Sequence, residues 1–340
     1  MTAPGYFQLF RSFLYLGLTA FGGPAMVAHI RDLAVKKNAW LNEDRFKDGV
    51  ALCQAIPGAT AMQMAGYVGL QVKGIRGALA TYTGFGLPAF LLMLLFSIFY
   101  KRTLEIAYVR SLFMGLQVLV VAIMAQAVMT FGRNMIKDRH EIQQNLLMAL
   151  FSAALLLLGI SPFLVVAAAG LIGVLIYPFP AAVESPSSIN RLRSIIPLLF
   201  ILAAGLTFLY LINPPYLVLS LLMMKIDLFA FGGGFTSLPL MLHEVVEVRK
   251  WMEAGILLDG IALGQVTPGP IVITAAFVGY WLYGLAGSLI GTLSIFTPSF
   301  LLLVTIQPLF NRLKSSSLFI KGSKGVLASF TGLLLYALIR

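Results

Sequence analysis

The chain has 340 residues, of which 59% are hydrophobic and only 11% charged, with a formal net charge of +11 and a mean hydropathy of +0.91. Soluble domains carry about 25% charged residues, and a soluble fold of this length cannot hide so much apolar surface. In such a chain the excess of Lys and Arg bears on membrane orientation rather than on nucleic acid, because no basic run interleaves with aromatics on a soluble module.

The first apolar stretch, residues 6–21, leads into a Gly-Gly-Pro break and not into a small-residue cleavage site, so it reads as a membrane segment and not a signal peptide. Further apolar runs, such as residues 87–100, 145–159 and 195–212, suit helices in lipid, where a crossing takes about 20 residues. The single cysteine, Cys53, excludes an intrachain disulfide and a Cys-rich metal site, and packing is its default role. The fold class expected is an all-α polytopic membrane protein.

An internal repeat organises the chain. Phe21-Gly22-Gly23 returns as Phe231-Gly232-Gly233, and Trp40-Leu41 as Trp251-Met252. The stretch from Ala51 through Gln54 to Pro57-Gly58 returns from Ala262 through Gln265 to Pro268-Gly269. Gly69, Gly74 and Gly77 match Gly279, Gly284 and Gly287, and Pro88 matches Pro298. This divides the chain into a first repeat at 1–100, connecting transmembrane helices at 101–214, a second repeat at 215–310 and a terminal transmembrane helix at 311–340. Residues 133–144 and 181–193 read as polar loops.

Each repeat contains two interrupted helices, one broken at Gly-Gly and one at Pro-Gly. Counting each as one crossing gives three crossings per repeat, and four more between the repeats then make the two inverted. On that threading Lys73, Arg76, Arg133, Lys137, Arg139, Arg191, Arg193, Arg312, Lys314, Lys321 and Lys324 fall on one side, which should be cytoplasmic with the N-terminus. The loop from Arg31 to Lys47 is a counterexample, with five basic residues on the other side.

Helix breaks at membrane depth line a cavity or lie buried in protein, because lipid cannot satisfy freed backbone groups. The half-helix after each break offers N–H groups and a dipole that favour an anion, and paired breaks in two halves point to a transporter's substrate site. The expected substrate-binding set is therefore Gly22, Gly23, Pro57, Gly58, Gly232, Gly233, Gly234, Pro268 and Gly269 at the breaks. Gln54, Thr60, Gln63, Gln265 and Thr267 join it as neutral donors, and Lys225 as a charge, with Thr274 also flanking a break. Asp227, His29 and Glu244 are candidates for proton coupling, ionisable groups in a membrane being costly and functional by default. His29 and Glu244 read equally as solvated residues at half-helix ends, and Glu247 reads first as one. Lys225 and Asp227 are two residues apart and do not share a helix face, which argues against their pairing.

At these residues the chain resembles the chromate ion transporter family, in its long, two-repeat form. The resemblance rests on Phe21-Gly22-Gly23-Pro24 with Ala28-His29-Ile30, on Gln54-Ala55-Ile56-Pro57-Gly58, on Phe231-Gly232-Gly233-Gly234 and above all on Gly264-Gln265-Val266-Thr267-Pro268-Gly269-Pro270. It covers both repeats; Ala59 departs from the Pro common at that place, which makes the two sites unequal. The resemblance implies a bacterial or archaeal inner-membrane protein that exports chromate, a tetrahedral dianion like sulfate, with the proton motive force. No cofactor and no metal are expected, and the partners are the oxyanion, protons and the bilayer. Faces rich in Gly and Ala suit packing within one chain or in a homodimer. The alternatives are transport of sulfate or another anion in either direction, a membrane enzyme acting on phosphorylated or lipid-linked substrates, and a membrane scaffold. No Walker A, His-Glu-x-x-His or Gly-x-Ser-x-Gly pattern supports an enzyme.

Overall fold

A computed structural model describes residues 4–21, 24–136, 141–178 and 196–339, and every regular element among them is helical. Gly22, Gly23, Lys137, Arg139, Arg191 and Arg193 lie outside the described residues.

Helix α1 (Tyr6–Thr19) stops at the extended Ala20, before the Gly-Gly-Pro. Helix α2 (Pro24–Arg31) continues through wider π-type turns at Asp32–Lys37. Helix α3 (Glu43–Ala55) starts where the Asn42 side chain caps the Arg45 amide at 2.9 Å, with Glu43 and Asp44 facing the positive end of the dipole. Helix α4 (Thr60–Thr103) folds at Lys73 and Gly74 into two legs, 60–72 and 75–103. Gly74 has φ 64°, a conformation that favours glycine.

Helices α5 (Ala107–Ile136), α6 (Ile142–Leu157), α7 (Pro162–Ile176) and α8 (Ile196–Ile212) form the connecting segment. The second repeat holds α9 (Pro214–Phe229), α10 (Ser237–Met241) with its π-type extension Leu242–Val248, α11 (Ala254–Val266) and α12 (Thr274–Ile306). Short α13 (Phe310–Lys314) precedes α14 (Ser317–Ile339), which packs closely on α6 and α7. That contact is made by glycines: a Cβ on Gly173 would lie 2.7 Å from the Lys321 carbonyl and one on Gly332 2.3 Å from that of Ala149.

The repeat extends to the backbone angles. Gly58 and Gly269 have φ 117° and 112°, Gly74 and Gly284 have 64° and 62°, and the non-glycine pair Ala39 and Lys250 has 48° and 52°. Helix α12 folds at Tyr283 and Gly284 just as α4 does at Lys73 and Gly74. Within each fold the legs touch without side chains between them: Cβ atoms on Gly69 and Gly279 would lie 2.2 and 2.0 Å from the carbonyls of Gly77 and Gly287.

The interrupted helices do not cross. The Tyr67 hydroxyl donates to the Arg45 carbonyl at 3.0 Å, and a Cβ on Gly49 would lie 2.4 Å from the Tyr67 ring. In a continuous helix residues 45 and 67 would be about 33 Å apart, so α3 and the first leg of α4 form a hairpin with Pro57-Gly58 at its tip. Gly260 against the Phe277 ring, at 2.3 Å for a Cβ, makes the same hairpin around Pro268-Gly269. The second Gly-Gly break also turns back, since Lys225 and Glu244 pair at 2.6 Å across it. These returns do not fit three crossings per repeat and leave one long leg in each: the Pro-Gly tips, with positive φ at Gly58 and Gly269, and the second Gly-Gly break reverse the chain instead of kinking it.

One is still odd, and the long legs do run in opposite senses. Gly66, beside Tyr82, lies against Leu303, whereas Lys101 reaches the Trp281 carbonyl at 3.3 Å. Rising numbers in α4 thus meet falling numbers in α12. The single crossing also removes the counterexample in the loop charges. On one crossing per repeat, Arg31, Lys36, Lys37, Arg45 and Lys47 would share a side with Lys73 and Arg76.

Among the described residues, four helical stretches are long and apolar enough to cross a membrane: Thr60–Thr103, Ala107–Arg133, Ile271–Leu309 and Ser317–Ile339. The first and third contain the folded helices α4 and α12. The chain is a multi-pass membrane protein.

Candidate functional site

The hairpin tips of one repeat meet the Gly-Gly breaks of the other. The Gly58 amide donates to the Ala230 carbonyl at 2.8 Å, and the Gly269 amide to the Ala20 carbonyl at 3.2 Å. Pro57, Gly58, Thr267, Pro268 and Gly269 are buried there. The tips also rest on the long legs of the opposite repeat: a Cβ on Gly58 would lie 1.9 Å from Ser299 Oγ, and one on Gly269 2.7 Å from the Ala89 side chain. Ser299 and Ala89 follow the matched Pro298 and Pro88, so the two contacts are equivalent.

The helix starts at the tips offer donors. Helix α4 begins at Ala59 without a side-chain cap, so its first amides are free of one. Thr60 beside them is half-buried, and its Oγ1 lies 3.5 Å from where a Cβ of Gly233 would sit. Gly232, Gly233 and Gly234 line the same break, against Phe131, Thr60 and Ile271 respectively. Thr267 is less available, its hydroxyl donating to the Gly264 carbonyl at 3.0 Å, as Thr274 does to Ile271 at 2.9 Å. Gln265 is half-buried with its Nε2 buried and unpartnered, whereas Gln54 is exposed on α3.

Gln63 and Asp227 belong to the centre. Gln63 is fully buried and donates from Nε2 to the Pro57 carbonyl at 2.6 Å. Asp227 is fully buried on α9, and its Oδ2 accepts from the Ser299 amide at 2.7 Å and from Ser299 Oγ at 2.5 Å. Ser299 was not singled out in the sequence; the signal was its place directly after a proline inside a helix, in register with Ala89. Tyr82 is also buried here and donates to the Phe296 carbonyl at 2.9 Å across the repeats.

Lys225 and Glu244 stand away from the tips. Lys225 Nζ lies 2.6 Å from Glu244 Oε1 and 3.7 Å from the centroid of the Phe163 ring, and Arg249 Nε is 3.5 Å from Glu244 Oε2. Asp227 takes no part in this pair. The equivalent place in the first repeat is open. Tyr15 stands in register with Lys225 and Leu33 with Glu244, the Leu33 and Glu244 carbonyls accepting the same turn bond from Asn38 and Arg249. Both Tyr15 and Leu33 line a groove of about 490 Å³ between α1 and the α2 segment, together with exposed His29, Lys36 and Lys37. His29 thus faces this groove, whereas Asp227 is buried against Ser299. Glu247 pairs with His243 at 2.9 Å near the end of its segment.

Another acidic residue, Asp259, escaped the sequence reading. Its two carboxylate oxygens accept from Tyr100 at 2.6 Å and Gln117 at 2.8 Å, joining α11 to α4 and α5. No group of three or more His, Cys, Asp or Glu residues suited to a metal ion occurs among the described residues.

Comparison with known proteins agrees with this architecture. The chromate transporter family model matches residues 7–174 and 217–340, two separate regions of the chain. An uncharacterised transporter of Methanocaldococcus jannaschii is 42% identical over 99% of this chain and 84% of its own length. A chromate transport protein of Pseudomonas aeruginosa is 31% identical over 87% of this chain and 71% of its own, and one of Cupriavidus metallidurans is 29% identical over 99% and 83%. No solved structure matches the chain. These relatives are named as transporters and not as enzymes. With both repeats matched and the hairpins in register, the chain belongs to the chromate transporter family.

Proposed function

We propose that the protein is a secondary transporter of tetrahedral oxyanions, chromate first among them, in the inner membrane of a bacterial or archaeal cell. The observation that carries this reading is the reciprocal contact of Gly58 with Ala230 and Gly269 with Ala20. It brings two helix starts and two breaks together between inverted halves, where transporters of this kind bind substrate. The uncapped amides at Thr60, its hydroxyl, and Gly233 across from it favour an oxyanion; Gln265, Gln54 and Thr267 orient it less directly. The two halves, 1–100 and 215–310, alternate in opening towards the two sides. Lys225 and Glu244 act as the clamp that closes one side, while the groove at Tyr15 and His29 leaves the other open. Export is driven by the proton motive force, through one of the titratable groups Asp227, His29 or Glu244. The basic side at Arg31–Lys47 and Lys73 faces the cytoplasm.

Sulfate shares the shape and charge of chromate, and a site built of amides and hydroxyls distinguishes them weakly. Purified protein in liposomes tests the reading: chromate and sulfate flux is measured with and without an imposed pH gradient, each anion competing against the other. Saturable, gradient-dependent chromate flux with weaker competition by sulfate is expected. Absence of flux for both anions, from folded protein, would remove the proposal.

A further inference from the structure

Two buried oxygens at the first hairpin tip have no hydrogen-bond partner: Asp227 Oδ1 and Gln63 Oε1. Both residues are fully buried. They belong to one contiguous cluster. Ser299 Oγ is 2.5 Å from Asp227 Oδ2, and a Cβ on Gly58 would lie 1.9 Å from Ser299 Oγ and 2.9 Å from Gln63 Nε2. Gln63 Nε2 is committed to the Pro57 carbonyl, so its free atom is the oxygen. The cluster thus offers two free acceptor oxygens, one of them a carboxylate oxygen, and the second hydrogen of the Gln63 amide nitrogen as its spare donor.

A buried carboxylate without a cation is expensive, and an orphaned buried acceptor costs about 1–3 kcal/mol. No cation answers Asp227 among the described residues. Lys225, on its own helix, is held by Glu244. The titratable group nearby on another element is Tyr82 of α4, itself near Cys53 of α3, and neither carries positive charge. Asp259 is the contrast: it is also buried, but both its oxygens are satisfied by protein donors, so it needs nothing further.

We propose that Asp227, Ser299 and Gln63 form a site for one small monovalent cation, the coupling ion of the transporter. This deepens the transport reading and rests on it. A proton on Oδ1 and a sodium ion held by the oxygens are the two sources of the positive charge. The site is single: Asp227 stands in register with Gly17 and Ser299 with Ala89, so the other tip has neither carboxylate nor hydroxyl. One cation therefore accompanies each transport cycle. Its occupancy bears on the tip directly, because Gly58 lies between Ser299 and Gln63 while its amide holds Ala230.

The test begins with binding and not with flux. The melting temperature of the purified protein is followed along a pH series in choline chloride, and along a sodium chloride series against choline chloride at fixed pH. A cation that binds the folded state alone raises the melting temperature. The expected result is a rise with acid or with sodium, whichever the site takes, that is lost in Asp227→Asn and shifted at least tenfold in concentration in Gln63→Leu. The variants report independently, so failure of one to fold leaves the other. Equal shifts in wild type and Gln63→Leu overturn the site. In liposomes, the reversal potential of chromate flux should correspond to one cation per oxyanion, and two would contradict a single site. Wild-type protein that shows the cation-dependent melting but carries no chromate would contradict the transport reading and leave the cation site standing.

Discussion

The Gly58 amide donates to the Ala230 carbonyl, and its counterpart Gly269 donates to Ala20, so each repeat closes the break of the other. Neither repeat therefore completes its own centre. The conformation at both tips, with φ 117° and 112°, is one that side chains rarely adopt.

Gly58→Ala should be the most damaging single change at the tips. Its Cβ would overlap Ser299 Oγ at 1.9 Å, in a conformation that already disfavours alanine. Gly269→Ala meets the single methyl of Ala89 at 2.7 Å and should be milder. Chromate flux at matched amounts of folded protein is expected to fall by more than about tenfold in the first and by less in the second. The opposite order would show that the tips are not seated as described.

Thr60 and Thr267 should separate in the same assay. The Thr267 hydroxyl is spent on its own helix at 3.0 Å from the Gly264 carbonyl, whereas Thr60 Oγ1 faces Gly233. Thr60→Val is expected to weaken apparent chromate affinity by about tenfold, the value of one hydrogen bond to a charged group, and Thr267→Val by little. Equal effects would mean that the anion contacts both or neither.

Asp259 should matter for stability and not for specificity. Asp259→Ala leaves the Tyr100 hydroxyl and the Gln117 amide without their acceptor, at a cost of about 1–3 kcal/mol each if they stay buried. A lowered melting temperature with an unchanged chromate-to-sulfate preference is expected. A changed preference would place this cluster on the anion's path.

Lys225 and Glu244 should behave as a pair. Lys225→Ala leaves a carboxylate that is 6% exposed, with only Arg249 near it. Each single substitution is expected to slow chromate flux, and the exchange Lys225→Glu with Glu244→Lys to recover part of it. A double variant as slow as the sum of the two singles would remove the clamp.

Much of this arrangement was legible in the sequence, because glycine and proline act locally. Gly74 and Gly284 mark turns, Gly69 and Gly279 mark close contacts, and the Pro-Gly pairs mark tips; each is readable from its motif and repeated in register. What the motifs could not say is whether the chain crosses or returns at a break. That depends on contacts such as Gly49 with Tyr67, which need the third dimension. For the same reason Gln54 and Gln265, equivalent in sequence, differ in exposure, and Lys225 turns to Glu244 instead of the centre. Ser299 was hidden because a serine in an apolar helix is ordinary until a carboxylate 72 residues earlier is found bound to it.

The arrangement on which the rest depends is one crossing per repeat, with the interrupted helices of one repeat entering from one side and those of the other repeat from the opposite side. Cys53 is buried, so single cysteines placed elsewhere report alone. They are introduced at Lys37, Lys73, Glu105 and Glu253, and labelled with a membrane-impermeant thiol reagent in oriented vesicles. Positions 37 and 73 should label from one side, and 105 and 253 from the other. Labelling of 37 and 73 from opposite sides would restore three crossings per repeat and contradict the meeting of the four tips.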